Sequence, residues 1–382
     1  MVKYKRRLLN VILASLRRAS VVALGTLVVT IVVVSTDPLP ATSASTKSTT
    51  TSSTSTTTST VPPPSTNGLI AAGPSRSECV DPDFPDTGLA AINSAVAKFD
   101  AVTGSSVTCL SAYLTSEPTW WQWEHPWITA PQYGYTRWVA QKSRIRQLVL
   151  QVNLIPDSLK NVKNPLRWEQ SCAAGDFNSY ATELGVSLVA AGLQNSVLRL
   201  GAEMNGIWEA DFIGYTSQEQ KLWTLCFANE VTGLRQATGE HFLIDWNANA
   251  CVENIPFANF YPGNAFVDIV GLDLFDVSCT LPKTRLSFKQ LASERLGLTD
   301  FEAFALARGK PMSFPEWGLK AFPSGDDPGY IDGIGANFTR RDFAFETYFN
   351  VNVRIRPYLA LGPSAPSSLK AFKVWFGARP QK

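Results

Sequence analysis

Residues 198–209 read LRLGAEMNGIWE. An apolar run carrying one arginine opens into Gly-Ala-Glu-Met-Asn-Gly. A strand that only had to turn would need Gly, Asn or Asp, and no glutamate or tryptophan. Val197, Arg199, Gly201 and Glu203 share one parity, so in an extended chain all four face the same side. A charge at the inner end of an apolar strand is costly unless it is paired or used. The segment therefore reads as a buried strand whose C-terminal end carries chemistry.

Similar segments recur along the chain. Strand-like runs are expected at 68–73, 106–114, 147–154, 196–202, 241–247, 266–273, 310–315 and 343–349. Helical patterns lie between them at 88–102, 137–145, 179–193, 217–237, 287–308 and 328–340, with a last helix at 365–376. Near-continuous apolar strands alternating with helices point to a parallel sheet. Eight repeats point to an α/β fold of the (β/α)8 TIM-barrel type, in which active groups project from the C-terminal ends of the strands. On the sixth strand Val267, Ile269, Gly271 and Asp273 repeat the parity of the fourth, and Asp276 follows. The seventh strand ends at Glu316, followed by Trp317.

The chain has 382 residues, 45% of them hydrophobic and only 17% charged, enough for a large core. Its formal charge is +2. Lys3, Lys5, Arg6, Arg7, Arg17 and Arg18 all fall in the first 35 residues, which hold no acid; the body beyond them is mildly acidic. No basic patch argues for nucleic acid. With only His125 and His241, a multi-histidine zinc site is excluded, and no GxSxG or HExxH occurs. No metal and no cofactor are expected.

The N-terminus has its own organisation. After the basic start, residues 20–35 are continuously apolar, and small residues follow at 41–45. This is the layout of a secretory signal. An uncleaved anchor is the alternative, with Arg17 and Arg18 on the cytoplasmic side. Residues 42–66 are rich in Ser, Thr and Pro and bury almost nothing, which fits an extended stalk. The expected domains are thus a signal or membrane anchor at 1–44, a disordered linker at 45–66 and a catalytic barrel at 67–382, secreted or tethered at the cell surface and monomeric. Six cysteines, with no CxxC pair, suit disulfides in an exported chain. Pairing in chain order would join Cys79 to Cys109, Cys172 to Cys226 and Cys251 to Cys279, one of ~15 possibilities.

Two glutamates at separate strand ends of one barrel mouth suit cleavage of a glycosidic bond. The pattern resembles glycoside hydrolase family 26, the mannanase-like (β/α)8 enzymes. VLRLGAEMNGIW resembles the strand-four motif ending in the acid/base glutamate. FYPGNAFVDIVGLDLFD, 260–276, resembles the segment leading to the end of the sixth strand. FPEWG, 314–318, resembles the strand-seven nucleophile motif. The resemblance implies a retaining hydrolase of a β-linked polysaccharide, with Glu203 as general acid/base and Glu316 as nucleophile. It also implies that Asn205, Trp208 and Asp273 line the site. Trp246 and Asn247, in IDWNAN, are expected at the fifth strand end, with a sugar stacked on the indole; Arg199 and Trp317 are expected beside the carboxylates.

Two positions depart from the family. Ala202 stands where a histidine usually precedes the acid/base. Phe275 stands where a tyrosine usually bonds the nucleophile. Both change the surroundings of the cut bond, so mannan and other wall polysaccharides both stay open. So does an inactive carbohydrate-binding scaffold on the same barrel. The loop EPTWWQWEHPW, 117–127, offers Trp120 and Trp121 either as platforms for a sugar chain or as a lid packed on itself.

Overall fold

The computed structural model describes residues 77–82, 88–115, 117–141, 146–159, 166–250, 252–279, 283–340, 342–351 and 358–377. The expected signal or anchor, the linker, the strand at 68–73 and Cys251 lie outside these residues. Among the described residues no helix is long and apolar enough to cross a membrane.

Eight parallel strands form the barrel: β1 (Ser77–Pro82), β2 (Cys109–Leu114), β3 (Gln147–Val152), β4 (Val197–Leu200), β5 (Leu243–Asn249), β6 (Ile269–Phe275), β7 (Met312–Lys320) and β8 (Phe343–Asn350). Each pairs with the next, and β8 pairs with β1, so the sheet closes without a free edge. A short β9 (Tyr358–Leu359) adds antiparallel to the end of β7. The first strand is therefore 77–82, nine residues beyond the start of the run expected at 68–73. Several apolar residues precede it, and hydropathy alone does not say which run closes the ring.

The surrounding helices include α1 (Leu89–Thr103), α2 (Trp120–Glu124), α3 (Tyr135–Val139), α4 (Leu166–Ala174), α5 (Asn178–Ala190) and α6 (Ser217–Leu234). They are followed by α7 (Phe288–Ala292), α8 (Leu298–Arg308), α9 (Pro328–Arg340) and α10 (Pro366–Phe376). The single helix expected at 287–308 is two, α7 and α8, separated around Gly297 and a positive-φ Leu296. The start of α6 is set by a capping box: Thr216 accepts from the Glu219 amide, and Glu219 reaches back to the Thr216 N–H.

Alternation along the strands makes two apolar regions. Leu198, Leu200, Ile244, Trp246, Val270 and Leu272 face the helices and join the main core. Cys79, Cys109, Val149, Val197, Leu243, Ile269, Ala344 and Phe345 form a separate buried cluster. They lie near the strand starts, with Cys79 opposite Cys109, and Val149, Val197 and Leu243 in one row, so they plug the floor of the barrel. The Cys79–Cys109 disulfide joins two opposed residues of β1 and β2 within that floor. A second disulfide, Cys172–Cys226, ties α4 to α6. Cys279 is also disulfide-bonded.

Candidate active site

Above the apolar floor the barrel interior becomes polar. Arg199, the second inward residue of β4, is fully buried. Its Nη1 donates to Glu316 at 2.8 Å and its Nη2 to Asp273 at 2.8 Å. Nε and Nη2 both donate to the Asn247 side-chain oxygen, at 3.0 and 2.6 Å. One guanidinium thus organises side chains from β5, β6 and β7. Burial works against its charge, but Asp273 and Glu316 outweigh it and raise the Arg199 pKa.

Glu316 reaches this network through an irregularity in β7. Gly271 pairs with Ser313, but Leu274 pairs with Trp317, so β7 spends one residue more than β6 over the same length. The pairing with β8 shifts at the same place. Ser313 points inward, its hydroxyl on Asp245 at 3.1–3.2 Å. With strict alternation Glu316, three residues on, would point outward. The extra residue restores it to the interior, as bulges do. Pro315, which has no N–H to lose from a ladder, sits in this stretch. Gly271 supplies the room: a Cβ there would lie 2.6 Å from Pro315 Cγ and 2.7 Å from an Asp245 oxygen.

Glu203 is placed differently. β4 ends at Leu200, and the chain continues as a turn whose Gly201 and Glu203 both have φ of 53°. For a glutamate this left-handed conformation costs on the order of 1–3 kcal/mol. It is held by backbone bonds: Gly201 donates to the Val152 carbonyl at 2.7 Å and Glu203 to the Asn247 carbonyl at 2.9 Å. The carboxyl group accepts from Trp208 Nε1 at 2.6 Å and from the Asn249 side chain. Glu203, Asp273 and Glu316 each present an oxygen within 4.8 Å of the others. Three such oxygens could ligate a cation, but the Arg199 guanidinium already supplies positive charge to two of them.

The environment separates these acids. Burial pushes Glu316 up and the neighbouring Glu203 adds to this; Arg199 and hydrogen bonds from Arg199 and Tyr113 pull it back, leaving it above its ordinary value. Asp273 is driven well above the ordinary range by burial, partly offset by Arg199. Asp245, the partner of Arg199 on the neighbouring strand, is pushed by burial to about 7.

Arg199, Trp208, Asn247 and Asp273 thus come together with the two glutamates. Other expected site residues do not. Trp246 is fully buried, packed against Phe257, Phe260, Tyr261 and Phe304, with Nε1 on the Phe260 carbonyl at 3.2 Å. It lies between Asp245 and Asn247 and so faces the helices, with no face left for a sugar. Trp317, next to Glu316, is turned outward for the same reason. It is fully buried between Phe372 and Phe376 of α10, with Nε1 on Glu346. Asn205 is fully buried and spends its amide on Asn249, accepting from its N–H and donating to its carbonyl at 2.8 Å each. It braces the residue that bonds Glu203. Trp120 stacks on Tyr180 of α5 at 4.1 Å, edge-on to Trp123 and Phe177, so α2 packs as a lid. Trp121 is 67% exposed and stacks on His125. Phe275 sits against Tyr358 and Phe349, with the Lys320 ammonium 3.9 Å above its ring.

Sequence reasoning missed Asn249 and Tyr113. Asn249 has the parity of Asp245 and Asn247, and extending that count by one step finds it. Tyr113 has the parity of Cys109 on β2, but nothing local marks its contact with β7.

No protein-family description matches the chain, and no curated protein matches it. Solved structures do. The catalytic domain of a Bacillus sp. JAMB-750 family 26 endo-β-1,4-mannanase superposes with a TM-score of 0.56 at 15% identity, covering 81% of this chain and 86% of that one. A modular endo-β-1,4-mannanase from Cellulomonas fimi gives 0.52 at 17% identity, and a double mutant of the Cellulomonas fimi enzyme gives 0.51. Each of these two covers 74% of this chain, which spans 65% of their length. At the level of the fold, this chain has the barrel of the glycoside hydrolase family 26 mannanases.

Proposed function

We propose that the chain is a retaining glycoside hydrolase that cleaves a β-linked polysaccharide. The observation that carries this reading is that Glu203 and Glu316 bring carboxylate oxygens to within 4.8 Å of each other at one barrel mouth. Retaining enzymes bring their two carboxyl groups to ~5–5.5 Å, whereas inverting ones leave ~6.5–9.5 Å for a water. Glu316, ionised against Arg199, attacks the anomeric carbon, and the bond to the leaving oxygen breaks. Glu203 gives that oxygen its proton. In the second half Glu203 takes a proton from water, whose oxygen displaces Glu316 and regenerates both groups. The exposed side of Trp208, 46% accessible, offers a surface on which a sugar can stack beside the acid.

The reading includes a signal or anchor at 1–44 and a linker at 45–66 ahead of a catalytic domain assigned to 67–382. Disulfides at Cys79–Cys109 and Cys172–Cys226 support export to an oxidising compartment. The test is a screen on mannans, xylans, glucans and arabinans, with the anomeric form of the first product followed by NMR. Cleavage with retention, lost in Glu316→Ala, is the expected result. Binding of a glycan without cleavage would favour a scaffold. Full activity in Glu316→Ala would overturn the site.

A further inference from the structure

Tyr113 is the third of three residues of like parity on β2, after Cys109 and Ser111. Cys109 belongs to the apolar floor. Ser111 is buried one step higher. Tyr113 stands opposite Gln151 of β3, which is itself opposite Arg199 of β4. The three side chains therefore face the same side of the sheet, the side of the Arg199 network. Tyr113 is hydrogen-bonded to Glu316 and acts electrostatically on Arg199. Since β8 and β1 separate β2 from β7, the phenol spans the mouth to reach the carboxylate.

β6, the strand adjacent to β7, ends in Phe275, whose side chain has no hydroxyl to offer. Phe275 is apolar and packs against Tyr358 and Phe349. Tyr358 sits under the Lys320 ammonium at 3.2 Å. The groups that face Glu316 are then Arg199 and Glu203 from β4 and its turn, Asp273 from β6 and Tyr113 from β2. Arg199 is shared with Asp273 and Asn247, so its hold on Glu316 is divided.

We propose that Tyr113 is a positioning residue for Glu316: its hydroxyl donates to the carboxylate from across the barrel and, together with Arg199, fixes it in the attacking orientation and in the ionised state. The inference rests on Glu316 being the nucleophile. A hydrogen bond to an ion is stronger than one between neutral groups, so it weakens when the acceptor is protonated. Removing it leaves burial and Glu203 opposed by Arg199 alone, so Glu316 must take up a proton more readily.

The experiment replaces Tyr113 by Phe in the full chain, which keeps the ring and deletes the donor. On a cleaved glycan, kcat should fall about 10- to 100-fold, the scale of one hydrogen bond to a charged group, with KM little changed. The acidic limb of the kcat/KM profile should move to higher pH, an effect that mere loosening of the fold would not produce. A readout independent of cleavage is the 13C carboxyl titration of Glu316, assigned with Glu316→Gln. Its midpoint should rise in Tyr113→Phe. Should that variant not fold, 3-fluorotyrosine at position 113, a stronger donor, should lower the midpoint. An unchanged midpoint overturns the proposal. Wild-type protein that cleaves no glycan would defeat the hydrolase reading, while the titration would still decide whether Tyr113 governs Glu316.

Discussion

The two glutamates meet at one point but are built into the fold by opposite means. Glu316 belongs to a strand. It is buried, aimed inward by one extra residue in β7, and held by Arg199 and Tyr113. Glu203 belongs to a turn. It is partly exposed, left-handed at φ 53°, and held by the Trp208 indole and Asn249. One carboxylate faces a cation in a largely buried setting. The other faces neutral donors at an open rim. The lesson is that surroundings divide the labour between like residues: a cation favours the ionised form a nucleophile needs, and solvent access suits a group that must pass protons.

The largest effect should come from removing each carboxylate in turn. With an aryl glycoside whose leaving group needs little protonation, Glu316→Ala should show no turnover. Glu203→Ala should keep a fast first step and lose on the order of 10²–10⁴-fold only where protonation matters, as on the polysaccharide itself. Equal losses on both substrates would erase the distinction. Pre-steady-state release of the aryl alcohol reads it directly.

Stability should separate the same two environments. Arg199→Met leaves Asp273 and Glu316 buried without a cation, and breaking a buried pair this way costs about 3–5 kcal/mol. Trp208→Phe removes the donor to Glu203 at a half-exposed rim and should change unfolding much less while impairing turnover. Denaturant midpoints of the two variants provide the check. Comparable destabilisation would mean that Glu203 is as deeply built into the fold as Glu316.

The smallest effect concerns the acid below the pair. Asp245 is fully buried, and its pKa lies near 7 in the fold against an ordinary 3.8. The folded chain therefore binds this proton more tightly than the unfolded chain. The stability it contributes is complete below about pH 4 and is lost as pH rises toward about 7. Asp245→Asn should abolish that part of the decline and leave the protein more resistant to denaturant at high pH, the sign following from the raised proton affinity of the buried carboxyl group. Asp276 and Glu169, also pushed to about 7 by burial, retain a slope of the same sign. An unaltered pH dependence in Asp245→Asn would place the titration in those groups.

Much of this was legible in the chain. Seven of the strands lie where apolar runs and helical spacing put them, because closing a parallel barrel demands apolar strands and amphipathic helices in strict alternation. The period of two put Arg199 inside and below Glu203, and chain order paired Cys79 with Cys109 and Cys172 with Cys226. The same period, applied to IDWNAN, also separates Trp246 from the inward Asp245 and Asn247 beside it, whereas in FPEWG it is the extra residue of β7 that turns Trp317 out.

By itself, then, the sequence determined the alternation along the regular strands and which carboxylates stand near the barrel mouth, since these follow from local spacing, although β4 stops three residues before Glu203 and β7 runs four residues past Glu316. Only the tertiary structure decided three things. The bulge in β7 turns Glu316 inward against the count from Ser313. The left-handed turn after β4 aims Glu203 at the mouth. The closing of the ring brings Tyr113, some two hundred residues earlier in the chain, onto Glu316. The physical reason is that alternation is a local rule of the backbone, whereas a bulge is defined by the two strands beside it and a meeting across a barrel by all eight.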